Sequence, residues 1–367
     1  MTPSTIFRIA VLPGDGIGTE ITEPCVALTD AAVAKVGGFT LDYEWLDAGA
    51  DTYRRTGEAL PEATVGACRA ADAILLAAMG LPHIRYPDGT EIAPQLDLRF
   101  VFGLYAGVRP VRAIPGVPPR LADPRAAALD FVLIRESTEG LFVSRGKGEV
   151  VDDREARDSL LITRDVCERL FDFTLDLGER RKQAGKPGRV TCVDKANVFT
   201  SLAFFRKVFD ERAARHGDLT IDHAYVDATA LNLVMRPWDF DVMVTENMFG
   251  DILSDLGAAL IGGMGYAPSA DIGDQHAVFQ PCHGSAPDIA GQGLANPTAM
   301  ILSAAMMLEW LAERHGLEAP AKAGGLLRQA VDEAFAGGGL LTPELGGTAG
   351  TADVIRALGD RLRELPA

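Results

Sequence analysis

Basic residues are scarce beside acidic ones in this 367-residue chain: 35 Lys plus Arg stand against 51 Asp plus Glu, a formal charge of −16. A field of that sign opposes nucleic acid and anionic membrane surfaces, so neither is an expected partner, and an anionic ligand must meet a local basic pocket. Cysteine is sparse too. Cys25, Cys68, Cys167, Cys192 and Cys282 form no CxxC pair, which argues against a zinc ribbon or disulfide framework and suits reduced thiols in the cytoplasm. Residues 1–9 carry one Arg and no apolar stretch ending at a small-residue cleavage site, so no secretory signal is expected. Long apolar runs are missing as well. The best candidate, 300–311, is interrupted by Ser303 and Glu309 and is too short to span a bilayer; its nearly all-round apolarity predicts a buried helix with Met306 and Met307 in the core.

What is present is alternation. Short runs of β-formers at 7–12, 72–78, 131–134, 190–193 and 241–244 are separated in places by helical patterns, such as those up to about residue 36, at 165–183 and at 202–215. This predicts an α/β fold with a largely parallel sheet. Five prolines in 110–124 read as an irregular connection where the chain passes between domains. No internal repeat is seen.

The loop Pro13-Gly14-Asp15-Gly16-Ile17-Gly18-Thr19 sits where a dinucleotide fingerprint would, but Thr19 replaces the last required glycine. It is not a Rossmann fingerprint, and spacing alone fits a plain turn as well as a ligand loop. Asp251 and Asp255 stand at i and i+4 on one helix face, where two carboxylates repel unless a cation sits between them. With a third carboxylate, such as Asp227, they would supply hard oxygen ligands for Mg²⁺ or Mn²⁺; a solvated acidic face is the competing account. Arg99, Arg109 and Arg135 singly suggest surface salt bridges, yet three converging guanidiniums suit a small dicarboxylate. Lys195 follows the 190–193 run, where it either pairs with Asp194 or serves as a general base. His283-Gly284-Ser285-Ala286-Pro287-Asp288-Ile289 gathers small residues that let backbone approach a phosphate or ribose.

Together, VLPGDGIG (11–18), the arginines ten apart, RESTEG (135–140), VDKANV (193–198), YVDA (225–228), NMFGDILSD (247–255), HGSAPDIAGQGLANPTAMILSAAMML (283–308) and TPELGGTAGT (342–351) resemble the metal-dependent β-decarboxylating dehydrogenases, the isopropylmalate/isocitrate dehydrogenase family, over nearly the whole chain. The resemblance implies that family's non-Rossmann α/β fold: a discontinuous cofactor-side domain, 1–104 plus 262–367, around a central mixed sheet, and a middle domain, 105–261, that makes a homodimer. It implies that Arg99, Arg109 and Arg135 hold the malate carboxylates, that Asp227, Asp251 and Asp255 ligate the metal, and that Lys195 and Asp227 act in the partner subunit's active site. It further implies NAD bound by His283, Gly284, Ser285, Ala286, Pro287, Asp288, Ile289 and Asn296, with Asp288 on the adenosine ribose. The activity implied is NAD-dependent oxidative decarboxylation of a 3-substituted malate, with 3-isopropylmalate as the expected substrate.

Three positions depart from the pattern. Phe142 stands where most of the family has a proton-donating Tyr, and a phenyl ring has no proton to give. Gln95 beside Leu96 occupies the segment facing the substrate's C3 substituent, where a polar amide suits a small or hydroxylated group, as in D-malate or tartrate. Gln280 replaces a frequent Glu. The loss at Phe142 also suggests a non-catalytic subunit, although the arginines, aspartates and lysine are all retained.

Overall fold

The computed structural model describes residues 5–366. Its strands, in chain order, are β1 (Thr5–Gly14), β2 (Phe39–Trp45), β3 (Ala73–Ala78), β4 (Ala106–Arg112), β5 (Asp130–Glu136), β6 (Glu149–Val151), β7 (Glu155–Arg157), β8 (Arg189–Asp194), β9 (Thr220–Tyr225), β10 (Val242–Thr245), β11 (Pro268–Ile272) and β12 (Ala277–Pro281). All but the β6–β7 hairpin join one ten-stranded sheet in the order β2-β1-β3-β12-β11-β4-β5-β10-β8-β9.

The five apolar runs of the sequence each fall on a strand, with only Asp72 and Asp241 just outside β3 and β10, and the helical patterns match helices Gly18–Val36, Arg164–Gln183 and Thr200–Ala213. The sheet is less parallel than the alternation predicts. Its two flanks are parallel, but β11 runs antiparallel to both β12 and β4, and β4 antiparallel to β5. A tight turn joins β11 to β12, with Gly273 N–H donating to His276 O at 2.9 Å, and a connection that short permits only the antiparallel sense. β4 also claims Pro110 to Arg112 from the stretch expected to be irregular.

Strands from the two ends of the chain form one flank and β5, β8, β9 and β10 the other, with β4 and β11 between them. The limits expected for the domains, after residues 104 and 261, fall in the connections leading into β4 and β11. Helix Thr298–His315 is buried along most of its length, Met306 and Met307 included. Among the described residues no helix is long and apolar enough to cross a membrane.

Successive side chains of β4 point to opposite faces. Val108, Pro110 and Arg112 line a groove of about 1080 Å³ between helices Arg164–Gln183 and Thr298–His315. Arg109 points the other way, into a smaller and more polar cavity that gathers most of the expected site.

Candidate active site

The cavity, of about 290 Å³, is walled by the end of β3, the helix Pro94–Phe102, β4, β5, the helix Asn247–Leu260 and the segment after β12. In its parallel part the sheet delivers functional groups at carboxyl ends of strands: Arg135 near the end of β5, and Asp251 and Asp255 on the helix that follows β10. Ligand sites of open α/β sheets form at this edge. Glu246 starts that helix by accepting hydrogen bonds from the N–H groups of Met248 (3.0 Å) and Phe249 (2.7 Å). The cap fixes where the two aspartates emerge.

Arg99, Arg109 and Arg135 are all buried and all line the cavity. Surface salt bridges do not account for them. Arg135 donates from Nε to Asn247 Oδ1 at 2.9 Å and from Nη1 to Asp251 Oδ1. Burial, with the neighbouring Arg99 charge, lowers its pKa to about 10, so it stays cationic at neutral pH. Asp255 is exposed at the cavity, yet desolvation followed by the negative charge of Asp251 raises its carboxyl above the ordinary range. Two hard oxygen donors under mutual repulsion fit a divalent cation.

Asp227 is elsewhere. It lies in the first turn of helix Val226–Met235, where its Oδ1 accepts from Lys195 Nζ at 2.6 Å, and that donation holds its carboxyl below the ordinary range. Neither residue lines the cavity of its own chain. The pairing of Lys195 with Asp194 does not occur: Asp194 is buried under a two-pronged bond from Arg206, 2.7 Å on each side. The one group of three metal-capable side chains within 4.8 Å of one another among the described residues is Asp176, Glu179 and His216, outside the cavity, where His216 Nδ1 already meets Glu179 Oε1 at 2.6 Å.

Gln95 and Leu96, in the first turn of helix Pro94–Phe102, line the cavity, and Gln95 Oε1 is a buried acceptor without a partner among the described residues. Phe142 lines it too, under the Arg135 guanidinium at 5.0 Å. His283 and Gly284 close the other side. Burial lowers the His283 pKa, and Nδ1 donates to Gly284 O at 2.9 Å, which leaves Nε2 as a buried acceptor unpartnered among the described residues.

The rest of the 283–289 segment packs against the glycine loop. Ile17 N–H donates to Ser285 O at 2.8 Å, and a Cβ on Gly16 would stand 2.1 Å from that oxygen. Close packing of two loops therefore explains Gly16. Ser285 is buried, with its hydroxyl on Gly80 O, while Ala286 takes a positive φ of 35° and Pro287 and Asp288 are exposed beside the partly buried Ile289. Asn296 is committed elsewhere: its amide donates to Glu344 Oε1 at 2.6 Å, and its Oδ1 accepts from Thr298 N–H and hydroxyl.

Sequence reasoning missed Asp271 on β11, buried against two of the arginines. Its signal was an acid inside an otherwise small and apolar strand, Pro268-Ser269-Ala270-Asp271-Ile272.

The profile described as isocitrate/isopropylmalate dehydrogenase matches residues 8–358. A 3-isopropylmalate/3-methylmalate dehydrogenase of Methanocaldococcus jannaschii is 39% identical over 98% of this chain and 100% of its own length. A 3-isopropylmalate dehydrogenase of Methanothermobacter thermautotrophicus is 39% identical over 98% and 99%. Among solved structures, isocitrate dehydrogenase from Methylococcus capsulatus superposes with a TM-score of 0.85 at 34% identity, covering 97% of this chain and 99% of that one. Matched almost end to end in sequence and in fold, the chain belongs to the isocitrate/isopropylmalate dehydrogenase family.

Proposed function

We propose that this protein is an NAD-dependent dehydrogenase that oxidatively decarboxylates a 3-substituted (R)-malate, 3-isopropylmalate first, as a homodimer with shared active sites. The observation that carries this reading is the convergence of Arg99, Arg109 and Arg135 with Asp251 and Asp255 in one small polar cavity.

Bound NAD supplies a hydride acceptor, and Mg²⁺ or Mn²⁺ held by Asp251, Asp255 and the partner subunit's Asp227 supplies Lewis acidity. The arginines hold the two carboxylates. Lys195, entering from the partner, would act as base in its neutral form, after its ammonium has given a proton to solvent, and would then accept through water the proton of the C2 hydroxyl as the hydride passes from C2 to NAD. Loss of CO₂ from the β-carboxylate leaves an enolate that takes up a proton at C3. Phe142 cannot give that proton, so water does. Asp288 offers an exposed carboxylate to ribose hydroxyls and would repel a 2′-phosphate, which favours NAD over NADP. The dimer finds support in apolar side chains that this chain leaves exposed, Leu231 and Met235 on helix Val226–Met235 and Ile252 on the helix Asn247–Leu260.

Gln95 favours a second reading. Its orphaned acceptor asks for a donor on the substrate, which the hydroxyl of tartrate has and an isopropyl group lacks. NADH formation and CO₂ release measured in parallel with Mn²⁺, against 3-isopropylmalate, D-malate, tartrate and isocitrate, test both. Coupled products from one malate support the reaction class; no turnover with any of them overturns it in favour of a non-catalytic subunit.

A further inference from the structure

Asp271 is fully buried on β11, opposite Gly107 of β4, where a Cβ would lie 3.1 Å from Asp271 Oδ1. The missing side chain leaves room for the carboxylate. Oδ1 accepts from Arg109 Nη2 at 2.9 Å, and Oδ2 accepts from Arg99 Nε at 2.9 Å and from Gln280 Nε2 at 2.8 Å. Among the described residues that Nε bond is the only hydrogen bond of the Arg99 guanidinium, so both terminal nitrogens are left for the cavity it lines. Arg109 is fixed further by Nη1, which donates to Ala270 O at 2.9 Å.

Gln280 completes the arrangement. A carboxylate can only accept here, so the amide must present its NH₂ group, and that orientation holds one oxygen of Asp271 against Arg99. A second carboxylate at position 280 would instead face Asp271 in a buried site. The amide and the acid are therefore complementary, on adjacent antiparallel strands β12 and β11.

We infer that Asp271, held by Gln280, is a positioning residue that aims Arg99 and Arg109 at the anionic ligand of the cavity. The inference rests on the reading of that cavity as a dicarboxylate site. Burial opposes the charge on Asp271, but Arg109 and Arg99 more than offset it and hold the carboxyl far below the ordinary range, so the anion persists throughout the working pH range.

Malonate, a dicarboxylate that cannot turn over, is the probe, with calorimetric binding and thermal melting followed on the same samples of the full chain. D271N is expected to weaken malonate binding by about 30-fold, the scale of a lost charge-assisted hydrogen bond, and to raise KM for the best malate more than it lowers kcat. D271N/Q280E returns a carboxylate beside Arg99 but leaves Arg109 Nη2 facing at best a neutral amide oxygen in place of a carboxylate, so melting temperature should recover while malonate affinity recovers only in part. Affinity and melting temperature falling and recovering together through the set would mean simple charge neutralisation and overturn the inference. Q280M leaves every charge in place and should weaken malonate binding about 5-fold; an unchanged Kd in Q280M overturns the inference even where D271N fails to fold. Wild-type protein that binds malonate yet oxidises no malate overturns the proposed reaction while the positioning role stands. Absence of malonate binding by the wild type overturns both.

Discussion

Lys195 Nζ lies 2.6 Å from Asp227 Oδ1, on the surface of the chain and outside the cavity that holds the three arginines. Two groups assigned to one reaction thus leave their own chain's cavity together, as a preformed unit. With Lys195 about a quarter exposed and Asp227 more than two-thirds exposed, the pair is available to a neighbour. If each site draws this pair from the partner, K195A and R135A damage different halves of the same site. Each variant homodimer should be inactive, and a refolded mixture should regain about a quarter of wild-type activity, because half of a statistical mixture is heterodimer with one intact site of two. Activity assay of the mixture checks this, and no recovery removes the shared site.

Asp251 meets the Arg135 guanidinium inside the cavity, so a cation there must compete with Arg135 for this carboxylate. Arg135 released from Asp251 is free to take a substrate carboxylate. Metal and malate should therefore bind cooperatively, with equal coupling in either direction. Mn²⁺ titrations with and without saturating malate should show Kd several-fold lower with malate present. In D255N the thermal stabilisation by Mn²⁺, about 2.7 kcal/mol at one hundred times Kd for the wild type, should disappear.

Much of the site is legible in the sequence because chemistry-bearing residues stand beside apolar runs: Arg135 ends 131–134, Lys195 follows 190–193, and Asp251 and Asp255 share a helix face. The antiparallel centre is not legible. Its strands β4, β11 and β12 are short and carry Arg109, Asp271 and Gln280, so no clean apolar run announces them. The same polarity that hides these strands builds the arginine site. Nor can spacing separate a ligand loop from a packing loop, and Gly16 proves to serve packing against Ser285.

Phe142 faces the cavity beneath Arg135 but cannot donate a proton. With water as donor, protonation at C3 is a candidate for the slow step. F142Y places a hydroxyl at the edge of the same cavity and should raise kcat by up to about 100-fold, the low end of the gain from a positioned acid, while leaving KM nearly unchanged. Steady-state kinetics with the best malate are the check. An unchanged kcat means that another step limits turnover.

Glu136 is buried beside Arg135 in the chain, and its carboxylate accepts from Thr138 N–H (2.6 Å), the Thr138 hydroxyl (2.7 Å) and Glu139 N–H (2.8 Å). Burial outweighs these donors and lifts its pKa from 4.5 to about 7. Between those values the folded state binds more protons than the unfolded one, so stability falls as pH rises from 4.5 to 7, by about 3 kcal/mol at most. Urea unfolding at pH 5 and pH 8 should show this decline in the wild type and a shallower one in E136Q. The amide has no carboxyl to titrate, so E136Q lies further below the wild type at pH 5 than at pH 8, where the lost acceptor for Thr138 or Glu139 costs about 1 kcal/mol.

If the cavity takes a 3-substituted malate, Gln95 is the side chain expected to decide between alkyl and hydroxylated substrates. Its Oε1 is buried without a donor among the described residues, so binding a branched alkyl group against it keeps the acceptor unsatisfied, whereas a substrate hydroxyl would satisfy it. Q95L removes the acceptor and adds apolar surface next to Leu96. The ratio of kcat/KM for 3-isopropylmalate over tartrate should rise in Q95L by about 10- to 100-fold, the range of one buried hydrogen bond gained or orphaned. Competition kinetics with both substrates in one reaction measure that ratio directly. A ratio that stays constant would mean that Gln95 turns its amide nitrogen to the substrate, or that the C3 group lies against Leu96 alone.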